Sequence, residues 1–185
     1  MLALAAGNAN AGANLITNGS FETGDFTGWT LSGNTTYTGV TDVPLYGTLY
    51  AEDGNDYAYL GPVGSDGYLS QTFTDSPGVL YSVSLFFASD GETPNDFGVT
   101  GPGSLVLSTI YDVPNTYGWV GYFGKFTGSG SDTITFNYSD DNGFLALDNV
   151  SVTVPEPSVW AMLILGMAGL GVVLRRRRAT AIAAA

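Results

Sequence analysis

Between Asn14 and Val154 the chain never runs far before a turn pair interrupts it: Asn18-Gly19, Gly24-Asp25, Asp53-Gly54, Asp66-Gly67, Pro77-Gly78, Asp90-Gly91 and Gly128-Ser129-Gly130. Glycine and asparagine supply the positive φ that tight turns need, and proline presets φ at a turn's first corner. The runs between these turns are short and rich in Val, Ile, Thr, Tyr and Phe, which suit a pleated surface. Within them apolar and polar side chains alternate. Val79, Tyr81, Val83, Leu85 and Phe87 share one phase against Leu80, Ser82, Ser84, Phe86 and Ala88; Val120, Tyr122 and Phe126 share a phase, as do Ile134, Phe136 and Tyr138. A period of two sends successive side chains to opposite faces, so each run reads as a strand with one buried face. No stretch keeps a helical stripe for three turns. Strands punctuated by turns roughly every 8 to 12 residues make a sandwich or barrel. The expectation is an all-β domain, a jelly-roll β-sandwich, over residues 14–154.

Composition narrows the chemistry. The 185-residue chain contains no Cys and no His. A disulfide scaffold, a thiolate nucleophile and a zinc–sulfur site are excluded, and the commonest general base and transition-metal ligand are missing. Residues 14–154 carry 16 acidic side chains against one cation, Lys125, a net charge of −15. Such a surface repels phosphate backbones, which excludes nucleic acid as a partner. It suits neutral polysaccharide and a calcium-containing extracellular medium.

The two ends differ from the middle. Residues 1–13, MLALAAGNANAGA, have the small-residue pattern that ends a secretory signal peptide, with Ala9-Asn10-Ala11 and Ala11-Gly12-Ala13 as A-x-A sites, and read as its remnant. At the other end Pro155-Glu156-Pro157 stops the last strand, because proline cannot continue a ladder. An unbroken apolar run of 16 residues follows, Val159–Leu174, and then Arg175, Arg176, Arg177 and Arg178. As a helix it would span roughly 24 Å against a hydrocarbon core of about 30 Å, a gap that snorkelling arginines help to cover. Residues 155–185 are thus expected to form a C-terminal unit with a single transmembrane helix over 159–174. The arginine cluster stays cytoplasmic, which puts the β-domain outside.

The order Pro155-Glu156-Pro157, apolar helix 159–174, Arg175–Arg178 resembles the PEP-CTERM sorting signal. That resemblance implies export through the inner membrane, recognition by an exosortase, transient anchoring, and transfer to the cell surface or extracellular matrix, typically in association with exopolysaccharide and biofilm. A second resemblance concerns the β-domain. Asn18-Gly19-Ser20-Phe21-Glu22-Thr23-Gly24 followed by Gly28-Trp29, the stretch Gly67–Phe73, and Leu147–Val152 look like the opening, middle and closing strands of jelly-roll carbohydrate-binding modules and their galactose-binding-like relatives.

Strict alternation along the last strand puts Asp148 in phase with Phe144, Ala146, Val150, Val152 and Val154, facing the core. A buried carboxylate without a partner costs several kcal/mol. Either a bulge at Asp148-Asn149 turns it outward, or a cation neutralises it. Glu22, near the other end of the chain, is the natural companion; the resemblance implies a structural calcium held by such an acidic pair, with carbonyls completing its oxygen shell. Asp53, Asn55 and Asp56, and likewise Asp140, Asp141 and Asn142, lack calcium-loop spacing and read as turn chemistry. Aromatic residues near turns are the candidates for stacking on sugars: Trp119 and Tyr117 form the preferred pair, Trp29 reads as core, and Tyr46, Tyr50, Tyr57 and Tyr59 complete the set. Paired carboxylates can hydrolyse glycosides without histidine, but no spacing here singles out a pair, so catalysis is not expected.

The expected function is a non-catalytic structural or adhesive role at the cell surface or in the matrix. A carbohydrate-binding module with a defined glycan is the second reading and a glycoside-active enzyme a distant third. In a host carrying the matching exosortase, replacing Pro155-Glu156-Pro157 by alanines should leave the full-length chain in the inner membrane. Intact mass of the membrane and surface fractions reads this directly, and normal release of the variant would overturn the sorting assignment.

Overall fold

The computed structural model describes residues 12–103, 105–116 and 118–154, apart from the side chains of 106–109. Residues Ala13–Val154 form one compact unit. Tyr117, the leader-like segment 1–11 and the whole of 155–185, including the expected helix over 159–174, lie outside the described residues. Among the described residues no helix is long and apolar enough to cross a membrane.

Ten strands occur among the described residues: β1 Thr30–Gly33, β2 Thr38–Thr41, β3 Tyr57–Leu60, β4 Gly67–Thr74, β5 Leu80–Ser89, β6 Asn95–Thr100, β7 Val106–Tyr111, β8 Val120–Thr127, β9 Ser131–Asp140 and β10 Leu145–Thr153. They pair into two five-stranded sheets, ordered β1-β4-β9-β6-β7 and β2-β3-β10-β5-β8, with antiparallel neighbours throughout. The chain switches sheets repeatedly, so strands distant in sequence sit side by side, as in a jelly roll. The all-β two-sheet sandwich read from periodicity is the fold observed.

Periodicity also identifies the core. Tyr81, Val83, Leu85 and Phe87 point inward from β5, and Ile134, Phe136 and Tyr138 from β9. An aromatic path crosses the sandwich. Phe21 stacks on Trp29 at 5.8 Å, Trp29 meets Phe136 at 5.9 Å, Phe136 meets Phe97 at 6.1 Å, and Phe97 stacks on Phe87 at 4.0 Å. Offset and edge contacts of this kind add to the area that each ring buries. Trp29 is a core residue, as read, and its Nε1 donates to the Asn18 carbonyl at 3.0 Å.

The last strand departs from strict alternation. The register of β10 against β5 shifts between Asp148 and Ser151, and Asn149 takes φ 48°. This bulge changes the phase of the strand: Leu145 and Leu147 face the core before it, Val150 and Val152 after it. Ala146 belongs instead to a small apolar cluster separate from the main core, and Asp148 shares its phase. Strict alternation of Asp148 with Val150 and Val152 is therefore corrected, and the bulge at Asp148-Asn149, one of the two alternatives read from the sequence, is present, although Asp148 stays buried. Alternation cannot reveal an inserted residue, and here it hides one.

The segment before β1 ties the two sheets together. Leu15 N donates to Val152 O at 2.9 Å, Val150 N to Gly19 O at 2.8 Å, and Asn14 Oδ1 accepts from Val152 N at 2.9 Å. Buried Gln71 of β4 clamps Thr17, accepting from its N–H at 2.7 Å and donating to its carbonyl at 2.9 Å. Gly19 is required here, because a Cβ would lie 2.0 Å from the Val150 carbonyl oxygen.

Candidate functional site

Glu22 and Asp148 grip one loop from two sides. Asp148 is fully buried (0% exposed), and its Oδ2 accepts from the backbone N–H of Glu52 at 2.7 Å and of Asp53 at 3.0 Å, while Oδ1 accepts from Asn149 N at 2.7 Å. Glu22 Oε1 accepts from Asn55 N at 2.7 Å and Asp56 N at 2.8 Å. Between them sits Gly54 at φ +77°, where a Cβ would strike the Glu22 carboxylate at 2.3 Å. Asn149 Nδ2 closes the arrangement on Glu52 Oε2 at 2.7 Å. Thus the acidic pair read from the sequence meets around the 52–56 turn, with backbone amides as its donors. Hydrogen bonds to Asp56 and Asn55 hold the Glu22 carboxyl below its usual range. Burial pushes Asp148 up to about 7 against the three amides that favour its charged form, with Glu52 adding repulsion. No group of three or more acidic side chains placed to hold a metal ion occurs among the described residues.

A cleft of about 560 Å³ opens nearby, lined by Tyr46, Thr48 and Leu49, by Ala88, Ser89, Asp90 and Glu92 at the end of β5, and by Asn115 and Gly118 before β8. One wall is the 43–51 segment, which packs over Tyr57, Ala88 and Ala146 through Leu45, Leu49 and Ala51. Trp119 fixes that wall. Its ring meets Tyr57 edge-on at 5.9 Å, its Nε1 donates to the Tyr50 carbonyl at 2.8 Å, and Tyr57 Oη donates to Val43 O at 2.7 Å. The opposite wall is as well tied: Ser89 Oγ donates to Val113 O at 3.2 Å, and Thr116 N donates to Ser89 O at 3.1 Å.

Among the described residues, Tyr46 is the aromatic side chain lining this cleft. It is 46% exposed, its φ is 54°, and its hydroxyl donates to the Phe144 carbonyl. Burial, and then the charge of Asp90, push its ionisation far above that of a free phenol. Asp90 Oδ2 accepts from Phe144 N at 3.2 Å and Oδ1 from Glu92 N at 3.0 Å. Behind it lies Asp140, fully buried, whose Oδ1 accepts from Asn142 N and Gly143 N at 3.1 and 2.7 Å while Oδ2 has no partner. Burial, with the charges of Asp90 and Asp141 adding to it, raises Asp140 to about 6. The Asp140–Asn142 cluster is the turn chemistry read from the sequence, with one buried oxygen in excess.

The structure therefore sorts the aromatic candidates. Trp119 is half-buried and braces the cleft wall; Tyr46 presents a fixed ring to it; Tyr117 lies outside the described residues. Tyr46 was legible only as one tyrosine near a turn, because the contact that fixes its ring comes from Phe144, 98 residues away.

Residues 153–178 match the family model of the PEP-CTERM protein-sorting motif. No curated protein sequence matches the chain. Among solved structures, TmCBM61 in complex with beta-1,4-galactotriose superposes with TM-score 0.58 at 20% identity, covering 77% of this chain and 99% of that one. The CBM22-1 xylan-binding domain from Paenibacillus barcinonensis Xyn10C gives TM-score 0.53 at 19% identity over 80% and 98%. The enzymatically active domain of bacteriophage CBA120 tailspike protein 4 gives 0.55 at 22% identity, with the match covering 77% of this chain and only 21% of the tailspike chain. At these identities the likeness is one of fold. The chain carries a PEP-CTERM motif behind a carbohydrate-binding-module-like jelly roll.

The raised carboxyl of Asp148 has a definite pH signature. Its folded value of about 7 lies above the unfolded value of about 3.9. The folded state then binds more protons between those limits, so the stability this group contributes is fully present below about pH 4 and lost as pH rises towards 7. The term is on the order of 4 kcal/mol. In chelator, Asp148→Asn should flatten the decline in melting temperature that the parent shows between pH 4 and 8. Parallel melting curves for the two proteins across that range would refute the assignment.

Proposed function

We propose that the protein is an exported, non-catalytic glycan-binding protein, delivered to the cell surface or matrix through its PEP-CTERM tail by an exosortase. The 560 Å³ cleft, with the Tyr46 ring held at its edge and Asp90 and Glu92 within, is the observation that carries this reading. Sugars present apolar C–H faces and rings of hydroxyls. A fixed aromatic face meets the first, and carboxylate and amide acceptors and donors meet the second. Both walls are hydrogen-bonded in place before any ligand arrives, which keeps the ordering cost of binding low. The net charge of residues 14–154 favours a neutral polysaccharide here. The module-like fold supports glycan binding over a purely structural matrix role; association with exopolysaccharide and biofilm fits either.

Affinity electrophoresis against neutral β-glycans tests this. Tyr46→Ala should weaken retardation at least tenfold, about 1.4 kcal/mol, with little change in melting temperature. Trp119→Ala should weaken it too, by releasing the 43–51 wall, and lower the melting temperature as well. Unchanged retardation of the Tyr46 variant would remove the cleft from consideration. Release of reducing sugar that is lost in Asp90→Asn or Glu92→Gln would instead favour the glycosidase reading.

A structural calcium at the 52–56 loop belongs to the same proposal. The donor chemistry is of the right kind: Glu22 and the fully buried Asp148 offer hard carboxylate oxygens on either side of the loop, and backbone carbonyls would have to complete the shell. Bound there, the ion would supply the positive charge that Asp148 lacks. Glu22 and Asp148 would hold it while continuing to order the loop. Calcium should then raise the melting temperature more at pH 8 than at pH 5, because it lowers the Asp148 carboxyl and reverses its pH trend. Equal melting in calcium and chelator at both pH values would eliminate the site.

A further inference from the structure

The outward face of β10, β5 and β8 carries an arrangement that the cleft does not use. Cross-strand register sets Thr153, Ser82 and Lys125 in one row, and Ser151, Ser84 and Phe123 in the next. Along β5 the following outward residue is Phe86, opposite Gly121 of β8. Phe123 is 73% exposed, in an edge-to-face contact with Phe86 at 6.3 Å and 85°. Gly121 permits this: a Cβ there would lie 3.0 Å from the Phe123 ring and 3.2 Å from the Phe86 ring. A groove of about 380 Å³ runs along the rows, lined by Ser82, Ser84, Phe123, Lys125 and Thr153 with the backbone of Val83 and Gly124.

Three features distinguish this groove. The hydroxyls of Ser82, Ser84, Ser151 and Thr153 make no hydrogen bond within the described residues, so each is available to a ligand. Lys125, the single cation among the 17 charged residues of 14–154, points into it and pairs with no described carboxylate. No acidic side chain lines it, whereas Asp90 and Glu92 line the larger cleft and Asp140 and Asp141 line another of about 270 Å³. Among the described residues the charged side chain lining this groove is a cation, although the domain carries −15 overall. The acidic residues elsewhere act across solvent, where screening over about 8 Å limits their reach.

We propose that this face is a second glycan-binding surface, selective for polysaccharide bearing uronic acid units. Phe123 stacks on the C–H face of a sugar ring, the Ser/Thr rows exchange hydrogen bonds with its hydroxyls, and the Lys125 ammonium pairs with the uronate carboxylate. The surface is independent of the Tyr46 cleft, which faces neutral glycan, so the two can fail separately.

The test uses the full chain in a non-glycosidic detergent, with chelator present so that calcium cannot cross-link the polymers. Native gels contain polygalacturonate, neutral galactan or polyglutamate as probe, at low and high salt. Polygalacturonate should retard the protein in a salt-sensitive manner. Phe123→Ala and Lys125→Gln should each weaken that retardation about tenfold without changing the melting temperature, and Lys125→Arg should restore it. Retardation by galactan should persist in both variants. Polygalacturonate binding that survives both substitutions would overturn the proposal. So would equal retardation by polyglutamate that ignores Phe123, since Lys125 would then be a generic charge that keeps an edge strand from pairing.

Discussion

A single bulge decides how the first and last segments of the β-domain meet. β10 lies at the centre of its sheet, between β3 and β5, and the segment from Asn14 to Gly19 is hydrogen-bonded along it. Without the shift between Asp148 and Ser151 the strand could not present Leu145 and Leu147 together with Val150 and Val152 to the core; half of it would turn its apolar side chains away. The same shift leaves Asp148 beneath the 52–56 turn, where three backbone amides offset the cost of taking a carboxylate out of water. Glu22 reaches the same turn because Phe21, fully buried at φ 56°, turns the chain sharply between the core and the surface. A bulky residue in the left-handed region is strained. Burial of its ring against Trp29 and Phe26 holds it there.

How much of this the sequence revealed follows from the range of each interaction. The sandwich and most of its core were legible, because alternation is local and each strand carries it alone. Val120 shows the limit: it keeps the phase of Tyr122 and Phe126 but is partly exposed, since it opens an edge strand whose outer side has no neighbour. Asp148 was misread in phase because a bulge leaves no mark on alternation beyond an Asn that tolerates positive φ. The Asp148-Asn149 pair was still recognisable as the place where one could occur. Trp119 and Tyr46 could not be told apart. One is fixed by the Tyr50 carbonyl, 69 residues away, and the other by the Phe144 carbonyl at 98, and no local pattern encodes such partners.

The acidity of the domain has an architectural side. Without cysteine, loops must be ordered by something other than disulfides, and here carboxylates do much of it. Glu22, Asp25, Asp90, Asp132, Asp140, Asp141 and Asp148 each accept backbone N–H groups in a loop or turn. Charge-assisted bonds of this type are about twice as strong as neutral ones. Apart from Asp148, these carboxylates sit in loops or at strand ends. On the outward face of β10, β5 and β8, Asp148 pairs in register with Phe86 but is buried beneath the 52–56 turn, and Lys125 is the charged side chain that lines the groove.

These carboxylates divide by burial, and the division sets opposing pH trends. Hydrogen bonds lower Glu22 and Asp25, which lie at the surface, so what they contribute is lost as pH falls through their folded values. Burial raises Asp140 to about 6 and Asp148 to about 7, so their contribution is lost as pH rises towards those values. The first group keeps the loops in place near neutrality, and the second weakens the centre of the domain there. A proton at Asp148 removes that weakness, and it becomes scarce above pH 7. The pH of the surrounding medium thus bears directly on the stability of the strand to which the first segment of the fold is bonded.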